Sequence, residues 1–181
     1  MAIHIDYVSG RFEGEAVRSS VKTLGAMRAA YRDTAAAQAA EAATVVYRVE
    51  YWQPVEPGVP GGLFVGTTVL APGRIGDEYF MTSGHFHAVR DRAEMYLTLS
   101  GEGGLILMDE DRKTRWEPMR PGSVHYIPGF VAHRVANTGD GPLSFLACWG
   151  SDAGHDYAAI ERSGFAARLR AVNGRPELVA E

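Results

Sequence analysis

Gly84-His-Phe-His-Ala-Val-Arg-Asp-Arg-Ala-Glu-Met-Tyr-Leu-Thr-Leu-Ser-Gly-Glu-Gly-Gly-Leu-Ile-Leu-Met-Asp109 is the stretch on which the fold turns. Within it, Ala93–Ser100 and Gly104–Asp109 are alternating or apolar runs too short for helices, and Gly101-Glu-Gly-Gly104 between them is turn chemistry. They read as neighbouring strands. On either side the same texture repeats. Thr44–Trp52, Leu63–Leu70, Glu78–Ser83, Ser123–Ile127, His133–Asn137 and Leu143–Trp149 read as short strands. They are parted by Gln53-Pro54, Glu56–Gly62, Ala71-Pro-Gly73, Asp109-Glu-Asp111, Arg120-Pro-Gly122 and Thr138-Gly-Asp-Gly-Pro142. Short strands at this spacing, with no helix between them, predict an all-β sandwich or jelly-roll barrel.

The flanks differ. Thr34–Ala43 is alanine-dense and predicts a short helix capped by Asp33 or Thr34. Val17–Tyr31 admits a helix on the spacing of Val21, Leu24 and Met27, or an extended segment because of Gly25. After Trp149, Asp152 is placed to cap a helix over Ala153–Ser163 that ends at Gly164, and Val172–Glu181 reads as a loosely held polar tail. The expected organisation is an arm over residues 1–43, packing on the barrel or on a partner subunit, a barrel with its following helix over 44–165, and a tail over 166–181.

A chain of 181 residues suits one domain with a substantial core. Its 18 basic and 22 acidic residues give a net charge of -4 without any block of one sign, which argues against nucleic-acid binding. No apolar run approaches the roughly 20 residues of a membrane span, and Met1–Asp6 lacks the marks of a secretion leader. The expectation is a cytoplasmic protein with no membrane partner. The single cysteine, Cys148, lies in an apolar run and reads as a buried free thiol.

His85 and His87 leave the same face of an extended segment, and Glu94 opens a strand whose Glu94, Tyr96 and Thr98 share a face. An antiparallel pairing of the two would set those faces together at cross-strand distance. His133 follows the bend Ile127-Pro-Gly-Phe-Val-Ala132, and barrel closure would bring it to the others. Three imidazoles and one carboxylate suit one divalent cation, Fe(II), Mn(II), Ni(II) and Zn(II) alike, and they leave coordination positions open. The remaining histidines read otherwise. His4 reads as solvated and His125 as a hydrogen-bonded structural residue. His155 stands between helix capping and supporting the metal ligands.

Two spacings resemble the paired motifs of the cupin superfamily: His85-x-His87-x6-Glu94-x6-Gly101 and Gly122-x5-Pro128-x4-His133-x3-Asn137. Further blocks are Gly76-Asp-Glu-Tyr-Phe80, Thr82-Ser-Gly-His-Phe-His-Ala88, Asp91-Arg-Ala-Glu94-x-Tyr96, Val124-x-Tyr-x-Pro128, Ala132-His-Arg134 and Asp152-Ala-Gly-His-Asp-Tyr157. Together they resemble the cupin-type glucose-6-phosphate isomerases over about Thr44 to Phe165. The resemblance implies a double-stranded β-helix, metal ligands at His85, His87, Glu94 and His133, and sugar-phosphate contacts at Thr68, Thr82, Gly84, Tyr96 and Tyr157. Ser83 and His155 join these as candidate substrate contacts. Trp149 stands where the family carries a tyrosine, and an indole donates a hydrogen bond but cannot accept one.

The chemistry so implied interconverts glucose 6-phosphate and fructose 6-phosphate, in glycolysis or gluconeogenesis. Metal Lewis acidity would act on O1 and O2, with Glu94 as the base of an enediol route or, alternatively, a direct hydride shift. A homodimer is expected, because half-open sandwiches cover exposed sheet by pairing. The rival readings are another metal-dependent cupin enzyme, such as a dioxygenase, an isomerase of different sugar-phosphate specificity, and a non-catalytic sugar-binding cupin.

Overall fold

The computed structural model describes residues 2–181. Strands β1 (His4–Asp6) and β2 (Arg11–Glu13) form a small hairpin, followed by β3 (Arg18–Thr23), α1 (Leu24–Met27) and α2 (Thr34–Ala39). The barrel strands are β4 (Val45–Trp52), β5 (Leu63–Leu70), β6 (Arg74–Ile75), β7 (Glu78–Tyr79), β8 (Glu94–Ser100), β9 (Gly103–Asp109), β10 (Thr114–Met119), β11 (Val124–Ile127), β12 (Val131–Asn137) and β13 (Leu143–Gly150). Helix α3 (Tyr157–Ser163) and the hairpin β14 (Ala167–Val172) and β15 (Arg175–Ala180) complete the chain.

One wall of the jelly roll is a six-stranded sheet in the order β11-β8-β13-β5-β4-β3. The facing wall is β10-β9-β12, extended by residues 81–86, which bridge to β12 through Met81–Ala136 and His85–His133. Alternation explains why the walls face each other. In β8, Glu94, Tyr96 and Thr98 are buried while Met95 is exposed. β9 is different, with every residue from Gly103 to Met108 buried, so both of its faces are covered. The second cover is the C-terminal hairpin: Leu169 packs against Gly104, and the Ala166 amide donates to Met108 Sδ at 3.2 Å.

That hairpin corrects the expectation of a loose tail. Ala167, Leu169 and Ala171 alternate with Arg168 and Arg170, a period-two pattern on a polar background, and Asn173-Gly174 at φ 50° and 77° makes the turn. The arm resolves likewise. β3 pairs with β4, so residues 18–23 are extended, and the chain turns helical at Leu24–Met27, followed by a 3-10 turn over Arg28–Ala30. α2 is capped by Asp33, whose carboxylate accepts from Ala36 N at 2.9 Å. α3 is capped by Asp156 rather than Asp152 and is shorter than expected. Strand β10, missed because of its charges and Pro118, lies at a sheet edge, where a proline costs no ladder bond. Cys148 is free and half-buried rather than buried. No helix among the described residues is long and apolar enough to cross a membrane.

Candidate active site

His85, His87, Glu94 and His133 converge inside the barrel, where one ligand atom from each lies within 4.8 Å of all the others. They come from opposite walls. His133 sits on β12, His85 on the strand-like segment bridged to it, and Glu94 at the start of β8 in the six-stranded sheet. The expected pairing of the His85–His87 segment with the Glu94 strand is therefore wrong. β8 pairs with β11 and β13, and Glu94 meets the histidines across the barrel interior.

His87 Nδ1 lies 2.8 Å from the Arg92 carbonyl, which fixes the ring with Nε2 inward, 3.2 Å from Glu94 Oε2. His133 Nε2 lies 3.0 Å from the same oxygen but without the geometry of a hydrogen bond. His85 Nε2 is buried with no partner. Two orphaned imidazole nitrogens and a carboxylate aimed at one point are the arrangement a cation would complete, and hard-to-borderline N and O donors fit a divalent ion.

The electrostatics differ from one ligand to the next. Burial and the neighbouring His133, His155 and His87 rings hold the His85 imidazole well below its usual range, so it stays neutral and able to ligate. Burial pushes the Glu94 carboxyl up, but the facing His133 and His87 outweigh it and bring it down to about 2. For His87, the Glu94 carboxylate and the Arg92 carbonyl overcome burial and raise the ring.

The four converge at the floor of a cavity of about 110 Å³, with His85, Glu94 and His133 on its wall and His87 off it. Thr68, Thr82, Ser83, Gly84, Tyr96, His155 and Tyr157 all line it, together with His85, Glu94 and His133. The His155 ring lies 4.4 Å from His85 and stacks on Tyr157 at 5.6 Å, so it does not cap α3. Burial pushes the Tyr96 phenol well up, which keeps it a neutral donor. His125 is the expected structural residue, bound to Glu117 and Ser123 away from the cavity, and His4 is exposed.

Tyr47, Val49, Gly66, Phe145, Ala147 and Trp149 also line the cavity. The sequence reading picked none of these apart from Trp149. Gly66, a glycine inside a strand, was the available signal: a Cβ there would lie 3.2 Å from the Trp149 ring. Also missed were the ion pairs that tie the rim together. Arg90 donates to Asp156 at 2.6 Å and to the His87 carbonyl at 2.9 Å, and Arg92 donates to Asp152 at 2.9 Å and 2.8 Å. Asp152 holds a loop where a helix cap had been expected.

Residues 21–178 match the family profile described as Glucose-6-phosphate isomerase (GPI). The glucose-6-phosphate isomerase of Pyrococcus horikoshii is 41% identical over 181 residues, 99% of this chain and 94% of that protein. Those of Pyrococcus furiosus and Thermococcus litoralis are 40% and 39% identical, covering 98% and 96% of this chain and 93% and 90% of theirs. Among solved structures, Bacillus subtilis oxalate decarboxylase at pH 4.6 is 22% identical, with a TM-score of 0.47 over 60% of this chain and 26% of that one, too loose a likeness to bear on function. With a profile spanning most of its length and relatives aligned nearly end to end, the chain belongs to the glucose-6-phosphate isomerase family.

Proposed function

We propose that this chain is a metal-dependent aldose–ketose isomerase interconverting D-glucose 6-phosphate and D-fructose 6-phosphate. One divalent ion per subunit, Fe(II) foremost, would be held by His85, His87, Glu94 and His133. The observation carrying this reading is that four donor atoms meet within 4.8 Å at the floor of a hydroxyl-walled cavity, in a chain of this family. When bound, the ion supplies Lewis acidity at the sugar's O1 and O2.

The chain's own residues do the rest. The hydroxyls of Thr68, Thr82 and Ser83, the Gly84 N–H and the neutral Tyr96 phenol are donors for the phosphate, and gripping it fixes the reacting carbons over the floor. His155 and Tyr157, stacked beside His85, cover the sugar against water. Both imidazole contacts of Glu94 fall on Oε2, which leaves Oε1 to take the C2 proton of an enediol route. The second route is a hydride shift from C2 to C1 without a protein base. The loss of basicity that a carboxylate would undergo on binding a divalent cation favours it. Isomerisation in deuterated water separates the two, because solvent label at the transferred position marks the enediol. The reading itself is tested by a coupled assay on chelated protein after each divalent metal is restored singly. No turnover with any metal overturns it.

We read the protein as a cytoplasmic homodimer. The exposed Met95, Val124 and Tyr126 make an apolar strip on the outer face of β8 and β11 that a second copy would cover. Sedimentation of the purified protein tests the dimer.

A further inference from the structure

Opposite Ser83 and Gly84 the ladder slips by one residue. Met81 faces Ala136 and the Thr82 amide donates to the Val135 carbonyl, yet His85 pairs with His133. Ser83 and Gly84 together therefore face the single residue Arg134, the two-against-one arrangement of a β-bulge, with Gly84 at φ 73°. The Arg134 residue is only 4% exposed. Its Nη2 donates to the Ser83 carbonyl at 2.6 Å and its guanidinium lies 4.6 Å from the Phe165 ring centroid. Its Nε has no acceptor, and no carboxylate among the described residues pairs with it. The neighbouring Arg168, by contrast, meets both Glu78 and Glu181. The Glu78 carboxylate is near enough to act on the Arg134 charge but is paired with Arg168, so the buried cation is under-compensated, an imbalance that an anion from outside the chain would offset.

The bulge says where that anion sits. The Ser83–Gly84 peptide is trans, as are all peptides among the described residues, so its carbonyl and N–H point in opposite directions. Ser83 and Gly84 line two cavities, the active-site cavity and a larger one that Arg134 also lines, so with the carbonyl held by Arg134 the Gly84 N–H is aimed away from the guanidinium, toward the active-site cavity. We propose that Arg134 is a positioning residue for the substrate's phosphate. It locks the bulge peptide with its N–H toward the phosphate, and its unpaired charge offsets the dianion across the bulge. This inference rests on the isomerase reading above.

The test compares metal-loaded wild type, R134M and R134K. In R134M the KM for glucose 6-phosphate and the Ki of inorganic phosphate as a competitive inhibitor rise together, by about tenfold, while kcat changes less. R134K keeps the charge without the fork and falls between the two. A folded R134M with wild-type KM and Ki overturns the proposal. So does one whose kcat and metal content fall at unchanged KM, because that places Arg134 on the metal side. Should R134M not fold, the wild type decides alone. In zinc-loaded, isotope-labelled protein titrated with inorganic phosphate, the Gly84 amide proton moves downfield more than the other cavity amides, and a still Gly84 signal overturns the proposal. Wild-type protein that does not isomerise glucose 6-phosphate would sink the isomerase reading instead, while the phosphate titration would still report on the bulge.

Discussion

The floor of the cavity and its rim are held in place by different means. The floor is three imidazoles and a carboxylate that are nearly all buried, anchored on β8, on β12 and on the segment bridged to β12. The rim is the Ser83–Gly84 bulge, His155 on the connection from β13 to α3, and Tyr157 at the first residue of α3. The floor is fixed by sheet pairing and packing, so its geometry costs as much to disturb as the core does. The rim is fixed by a few charge-assisted hydrogen bonds, Arg134 to Ser83, Arg90 to Asp156 and Arg92 to Asp152. Such a division suits an isomerase, in which the reacting carbons need rigid placement and the substrate must still enter and leave.

The largest effect expected is at the floor. Glu94→Gln removes both a ligand charge and the candidate base at an almost unchanged volume. Activity with saturating metal should fall by on the order of 10²–10⁴, with weaker metal retention in dialysis. If E94Q kept its metal and most of its turnover, the floor would be structural, and the contrast with the rim would disappear.

The metal-free floor should also set how stability responds to acid. Buried neutral His85 has its folded-state value depressed, whereas in the unfolded chain it titrates near its usual 6.5. Below that value the unfolded state holds a proton that the folded state refuses. The His85 contribution is therefore present above 6.5 and lost as pH falls, by about 1.4 kcal/mol per pH unit for one proton. His87 runs the other way. Its folded value is raised, so its contribution is intact below 6.5 and lost as pH rises through the raised value. Urea unfolding of the chelated protein should give a stability maximum near 6.5 with a fall on the acid side. Flat stability between about pH 5 and 7 would mean that His85 is not held neutral.

Much of the floor was legible in the sequence because its cause is local and periodic. His85-x-His87 and Glu94-x-Tyr96-x-Thr98 display strand alternation directly, and Pro128 marks the bend before His133. The error concerned partners: alternation says which face a side chain takes, not which strand lies beside it. The rim was less readable. Nothing near Arg134 in the sequence indicates that it faces Ser83 and Gly84, residues about fifty positions away, and the Arg90–Asp156 pair spans 66 positions. Asp152 satisfied every local rule for a helix cap and was taken by Arg92 instead. The C-terminal hairpin was hidden by composition, its apolar residues being small and spaced between arginines.

At the rim, Arg90→Ala should be milder and of another kind. Arg90 joins the His87 carbonyl, the Asp156 carboxylate and the face of Phe86, whose ring centroid lies 4.4 Å away. Losing it loosens the loop that carries His155 and leads into Tyr157, and it frees the His87 carbonyl without removing any ligand side chain. KM should rise about three- to tenfold, with metal content and the transferred-hydrogen label unchanged. An R90A protein that loses its metal would show that floor and rim are one unit.

The smallest effect on catalysis belongs outside both regions, and it calibrates the others. Asp33 accepts from Ala36 N at 2.9 Å and caps α2 in the arm. Asp33→Ala should remove about 1 kcal/mol of stability, the usual worth of such a cap, and lower Tm by roughly 2–4 °C for a domain of this size. KM, kcat and metal content should match wild type, because α2 has no residue on the cavity wall. A loss of stability of this size that leaves KM alone would show that the KM changes expected from Arg90 and Arg134 are not general consequences of a weakened fold. A rise in KM with D33A would show instead that the arm supports the rim, and the boundary drawn around the active site would have to move outward to include it.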